Sequence, residues 1–362
     1  MSLRKIACSI LILIVPMLLV GCGAYNSPSI PPATGVARFA FVANAFSNSI
    51  SSFAVDPQTG QLNPKDAVVP TGGMNSRVMA VEPSGHFAYV GNIVSNDISV
   101  FAIDANTGRL STVGSPVPAG NGPGFIGIGP TGNVLYAVNQ RANNITGFSI
   151  NRDTGVLTPL DGTVPTDDAP VELRFHPSGH FAYVVNFNSG DVTVYRVDSS
   201  GALGLLGATP ADLSLSSLSM HPSGRFAFVA SVASKQIKSF SIDQVTGALT
   251  PITPTVASGD GPTSVTVDSR GRFVYVTHAI AGTVSTFAVD VATGALTPRT
   301  TVSAGTNPVA LTLDPSGRFA YVANLGSDNV TPFAIDSTTG ALTPTGPPVD
   351  AGTGPAWVTL VK

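Results

Sequence analysis

The sequence predicts an all-β chain made of seven copies of one four-stranded unit, and three observations carry that expectation. An apolar phrase begins at Phe39, Phe87, Val134, Phe181, Phe226, Phe273 and Phe319, at steps of 45 to 48 residues. A near-constant period of this size marks stacked copies of one supersecondary unit. A second aromatic follows each start by 14 residues: Phe53, Phe101, Phe148, Tyr195, Phe240, Phe287 and Phe333. It lies in an alternating run such as Ile98-Ser99-Val100-Phe101-Ala102-Ile103, which has the period of a strand. Nothing after residue 22 has a helical apolar period. Repeated four-stranded units without helices close as a seven-bladed β-propeller.

Each unit can be followed along the chain. The innermost strand, as in Pro308-Val309-Ala310-Leu311-Thr312-Leu313, ends in a turn such as Pro315-Ser316-Gly317. The second strand is the apolar phrase, Arg318-Phe319-Ala320-Tyr321-Val322-Ala323-Asn324. The third carries the later aromatic and runs into a turn such as Asp290-Val291-Ala292-Thr293-Gly294. There the Asp carboxylate accepts amides two residues on and Gly supplies positive φ. The outer strand follows, typically Gly-Ala-Leu-Thr-Pro. The first copy lacks an inner strand, and Pro355-Ala356-Trp357-Val358-Thr359-Leu360-Val361 supplies one from the other end of the chain. Pairing the C-terminal strand with the first blade closes the ring and removes a free sheet edge.

Residues 1–21 read as a lipoprotein signal peptide. Arg4 and Lys5 precede an apolar run, Ile6 to Val20, that ends in Leu19-Val20-Gly21-Cys22. The run is short for a membrane span and closes on small residues. Cys22 is the expected lipidation site. Residues 22–34 form a Pro-rich tether and 35–362 the propeller. This predicts a lipid-anchored, extracytoplasmic protein of the cell envelope, on the outer membrane in a Gram-negative cell. Cys8 leaves with the signal, so no disulfide is expected. With 21 acidic and 18 basic residues the net charge is −3, and losing Arg4 and Lys5 makes it −5. A weakly acidic chain without basic clusters excludes nucleic acid as the expected partner. No cofactor is expected, and the propeller is expected to be a monomer.

Residues present in every copy serve the blade, so function is sought where copies differ. The repeated aromatics are expected to fill the core between sheets. The repeated Asn44, Asn92, Asn139, Asn186 and Asn324 are expected to satisfy backbone groups. On the inner strands one parity is large and apolar. The other is small or polar: Val78/Ala80, Phe125/Gly127, Glu172/Arg174, Ser217/Ser219, Ser264/Thr266, Ala310/Thr312 and Trp357/Thr359. Because alternate side chains point to opposite faces, the second set is the expected channel lining. It holds one acid, Glu172, one base, Arg174, and the only tryptophan. Two readings follow: an internal ion pair beneath aromatic plugs, or a ligand site of carboxylate, guanidinium and aromatic platform.

Loops at the channel mouth add Arg77, Asn121, Gln140, Arg141, Asp167, Asp168, Lys235, Asp260, His278 and Asn307. His278 stands where five of the other six copies have Asn. A lone histidine makes a poor metal site, so no metal is expected. His86, His176, His180 and His221, beside the opposite turns, are expected at the surface. No nucleophile elbow or phosphate loop is present.

The phrases at residues 175–186 and 313–324, such as Leu313-Asp314-Pro315-Ser316-Gly317-Arg318-Phe319-Ala320-Tyr321-Val322-Ala323-Asn324, resemble the seven-bladed propeller lactonase family. That family includes 6-phosphogluconolactonase-type and muconate cycloisomerase-type proteins and the related tyrosine-valine-threonine-asparagine repeat proteins. In its enzymes a Gly-Pro-Arg-His phrase opens one inner strand, and a Glu follows the second-strand Asn. The corresponding residues here are Ala169-Pro170-Val171-Glu172 and Phe187. A Pro-His phrase of the enzymes reads Pro123-Gly124. Without those groups lactone opening lacks its base and oxyanion partner. The resemblance therefore implies the fold, with a binding or scaffold module that takes a protein, glycan or small molecule at the propeller mouth or serves mainly as a structural envelope component. The alternative is a lactone hydrolase using a rearranged set, with Glu172 or His278 as base and Arg174, Arg77 or Arg141 holding a carboxylate.

Overall fold

A computed structural model describes residues 35–362, so the signal peptide, Cys22 and the tether lie outside the described residues. Seven antiparallel sheets form the ring, and no helix occurs among the described residues. Counting from the N-terminus, blade 4 runs from its inner strand Pro170–Phe175 through Phe181–Asn186 and Asp191–Val197 to Leu203–Pro210. In blades 1, 2, 3 and 7 the outer strand is broken into two short pieces that both pair with the third strand. The inner strand of blade 1 is Pro355–Val361, paired antiparallel with Phe39–Asn44 through Phe41↔Thr359 and Ala43↔Trp357. Head and tail of the polypeptide therefore share one sheet, as the sequence requires.

The repeated phrase builds the joints between blades. Second strands are buried on both faces; Phe41, Tyr89, Tyr183 and Tyr321 are fully enclosed. The third-strand aromatics, 0–2% exposed, complete the core between sheets. Each Asp-x-x-Thr-Gly turn rests on the preceding blade. At Gly60, φ is +72° and an added Cβ would lie 2.3 Å from the Phe319 ring, so only glycine fits. Tyr321 Oη donates to the Gly60 carbonyl at 2.9 Å, and Arg318 donates to the carbonyls of Pro57 and Gln58 while lying over Phe319. Arg38 holds Ala105 and Asn106 of blade 2 in the same way. The Arg-Phe opening of the phrase is thus an inter-blade clamp. The turn chemistry is as expected: Asp56 Oδ1 accepts the amides of Gln58 and Thr59 at 2.8 and 3.0 Å, which holds the carboxyl below its usual pKa.

Two expectations need correction. The repeated Asn side chains bond mainly to side chains rather than to the backbone. Asn92 Nδ2 donates to Asp97 and Ser99, and Asn324 Nδ2 to Asn329 and Thr331. The tight hairpin brings residues five and seven positions later across from the Asn, where cross-strand neighbours meet. His176 and His221 are not surface residues, although His86 and His180 are exposed. Each is about 5% exposed or less, with Nδ1 against the Ser of its own turn and Nε2 against a glycine carbonyl of the next blade, Gly224 or Gly271. Their imidazoles therefore belong to the joints.

Candidate functional site

The axis is shaped by a feature the alternation rule does not anticipate. All seven inner strands carry a β-bulge at their start, between Ser76 and Val78, Pro123 and Phe125, Pro170 and Glu172, and at the matching places in the other blades. A bulge sets two residues against one and re-aims a side chain. Consecutive residues, Arg77 with Val78 and Val171 with Glu172, consequently line one axial cavity of about 260 Å³. Gln140, Phe187 and Leu325, just after second strands, complete its mouth. A second cavity, about 730 Å³, opens among the ends of the inner strands near the Pro-Ser-Gly turns. Phe125 and Trp357 line both cavities and meet edge to face with centroids 5.9 Å apart. They form the partition.

This corrects the expected lining. The small parity does supply Val78, Phe125, Glu172, Ser217, Ser264 and Trp357 to the upper cavity. At the other end the large apolar parity also faces the axis: Val81, Ile128, Phe175, Met220, Val267, Leu313 and Leu360 are half-buried around the lower cavity.

Inner strands of neighbouring blades are not paired as sheet, and small polar side chains bridge them. Ser217 Oγ accepts the Val265 amide at 3.1 Å, and Ser219 Oγ accepts the Val267 amide at 3.1 Å. Thr312 and Thr359 donate to the carbonyls of Val358 and Met79, both at 2.7 Å. Glu172 and Arg174 occupy the same two positions in blade 4 and do the same work. One Glu172 oxygen accepts the Leu218 amide at 2.7 Å and the other pairs with the Arg174 guanidinium. Arg174 Nε donates to the Leu218 carbonyl at 3.3 Å, and its guanidinium lies 5.4 Å from the centre of Phe125. Both backbone polar groups of Leu218 are thereby held, and the carboxylate is only 5% exposed.

The remaining sequence candidates do not join this site. His278 is wholly enclosed, with Nε2 2.7 Å from Ser258 Oγ and Nδ1 3.3 Å from Thr283 Oγ1. It lines neither axial cavity. It takes over the Asn role within blade 6. Asp168 is held at the surface by Asn143 and Asn188, Arg141 reaches the Ile93 carbonyl, and Lys235 pairs with Asp260 at 2.7 Å. Arg77, Phe125, Glu172 and Trp357 do converge. Lining residues not anticipated from the sequence are Ser216, Thr263, Val309, Leu325 and Ala356, since their placement depends on the bulge and the hairpin ends. No group of three His, Cys, Asp or Glu side chains is placed to hold a metal ion among the described residues.

Burial lowers the His278 pKa to about 4. An unfolded histidine titrates near 6.5. For a base with a depressed folded pKa, stability is complete above the unfolded value and is lost as pH falls from about 6.5 towards 4. That loss amounts to ~2 kcal/mol by pH 5. Replacing His278 by the Asn found in five of the other blades is expected to remove this share. Urea unfolding at pH 7 and pH 5 checks it; an equal drop in parent and H278N overturns it.

The comparisons agree with this architecture. A family model described as lactonase, 7-bladed beta-propeller, matches residues 34–125, 116–212, 167–267 and 217–360. No curated protein matches the chain in sequence. The structure is similar to the periplasmic gluconolactonase of Pseudomonas aeruginosa (TM-score 0.77, 21% identity, 90% of this chain and 99% of that one). It is similar to a protein of Lactobacillus plantarum (TM-score 0.79, 24% identity, 90% and 100%). It is also similar to the hydrazine synthase of Kuenenia stuttgartiensis (TM-score 0.64, 21% identity, 83% and 92%). At these identities the likeness is one of fold, which does not by itself fix function. The family model spans almost the whole propeller, and the chain belongs to the seven-bladed β-propeller lactonase family.

Proposed function

We propose that this protein is an extracytoplasmic, lipid-anchored member of the family that binds a small ligand in the upper axial cavity and does no chemistry on it. One observation carries the second half of that reading. Among the described residues Glu172 is the only carboxylate lining the cavity, and its two oxygens face Arg174 and the Leu218 amide. A general base needs a lone pair directed at the proton it removes. His278, the other candidate base, lies apart and holds its proton weakly. The anchor is supported by the basic, apolar and Leu-Val-Gly-Cys sequence of residues 4–22. A partner protein or glycan at the mouth is compatible with the same surface.

The test is a panel of lactones, 6-phosphogluconolactone included, incubated with the protein. No ring opening above the spontaneous rate is expected. Turnover that disappears in Glu172→Gln would overturn the reading and restore the hydrolase alternative.

A further inference from the structure

Resting on the reading of the upper cavity as a ligand site, we infer that it takes a small carboxylic acid with an apolar body, a single ring or a short branched chain, and disfavours polyhydroxylated acids.

Most polar side chains of the cavity already have a partner within the protein. Ser216 has spent its proton on the Pro262 carbonyl at 2.8 Å, and Thr263 has spent its own on Pro308 at 2.8 Å. Ser217 accepts the Val265 amide, and the two Glu172 oxygens already face the Leu218 amide and the Arg174 guanidinium. Among the described residues, the polar side chains of this cavity without a partner are Arg77, Gln140 and Ser264. The other walls are apolar, with Phe125, Trp357, Phe187 and Leu325 contributing the largest surfaces.

Arg77 is the one cation there, and it has no counter-ion among the described residues. More than a third of the side chain reaches solvent, yet the surrounding walls desolvate the guanidinium and pull its pKa below the usual arginine value. An unpaired guanidinium with five donors on the cavity wall is best matched by a planar carboxylate, which it can grip with two parallel bonds. The body of that ligand must then lie on apolar walls. A sugar acid would bring several hydroxyls into a cavity with few free partners. Each one left unpaired costs ~1–3 kcal/mol. The volume, about 260 Å³, falls just below the ~300 Å³ at which pockets for drug-sized ligands begin. One ring or a short branched chain fits that space.

The experiment measures binding of phenylacetate, isovalerate, gluconate and the neutral phenylacetamide to the full-length protein by calorimetry. Phenylacetate or isovalerate is expected to bind at least tenfold more tightly than gluconate. Phenylacetamide is expected to bind at least tenfold more weakly than phenylacetate, and Arg77→Gln to weaken phenylacetate to a similar degree. The amide comparison needs no variant, so it stands even where Arg77→Gln folds poorly. Gluconate binding as tightly as the apolar acids overturns this inference while leaving a ligand site in place. Failure of all four overturns it as well. The broader reading without chemistry falls only on Glu172-dependent lactone turnover, a separate measurement.

Discussion

Deleting residues 355–362 is expected to abolish the cooperative folding of the whole propeller rather than to trim one blade. The segment is the inner strand of blade 1, and its pairing with Phe39–Asn44 is the closure of the ring. Val358 and Val361 are 1% and 7% exposed, and Trp357 packs against three separate core clusters. Removing such side chains forfeits ~1.5–3 kcal/mol each in apolar burial. Their sum approaches the 5–15 kcal/mol that holds a typical domain folded. The loss is compounded at the ends of the ring. Thr359 no longer donates to Met79, Thr312 loses its Val358 acceptor, and Phe41 faces water along an unpaired edge. A melt followed by circular dichroism should show no sigmoidal transition in the truncated protein. A synthetic peptide of residues 355–362 should restore one in part. A truncated protein that melts cooperatively near the parent temperature would show that closure by this strand is dispensable.

That closure was legible in the sequence because it rests on a register comparison between repeats, and repeats are what a sequence displays best. The same source made the four strands of each blade and their core aromatics readable. The site was only partly readable, for a physical reason. Residue type and parity place a side chain on a face, and they put Phe125, Glu172 and Trp357 on the axis. They do not reveal a bulge, which moves Val171 beside them and sets Arg77, expected in a mouth loop, on the inner strand itself without altering the alternation of the letters. Nor do they reveal burial at a hairpin end. His278 reads as a mouth residue until its ring is seen to fill the space occupied by Asn in other blades. His176 and His221 resemble surface histidines because the carbonyls they meet come from the following blade, 48 and 50 residues away.

Arg174→Leu is expected to destabilise the protein by about 3 kcal/mol, and this result separates a strut from a catalytic carboxylate. The substitution leaves the Glu172 charge 5% exposed with one remaining partner, the Leu218 amide. Breaking a buried pair from one side costs ~3–5 kcal/mol. Arg174 keeps 36% of its side chain in solvent, which moves the figure to the lower end of that range. Glu172→Leu alone should also destabilise, because the Leu218 amide then has no acceptor. With both replaced by leucine, the interior charge is gone and apolar packing offsets much of the loss. What remains is the cost of the Leu218 amide left without its acceptor, ~1–3 kcal/mol. Urea unfolding of the parent, both single variants and the double variant forms a cycle whose coupling should reach ~2 kcal/mol. Additive effects would mean that the two side chains do not act as one unit. A carboxylate held in place for chemistry behaves differently, since active-site groups are commonly retained at the expense of stability. If Glu172→Leu raised the unfolding midpoint, the strut would be the wrong description, and the hydrolase reading would regain its base.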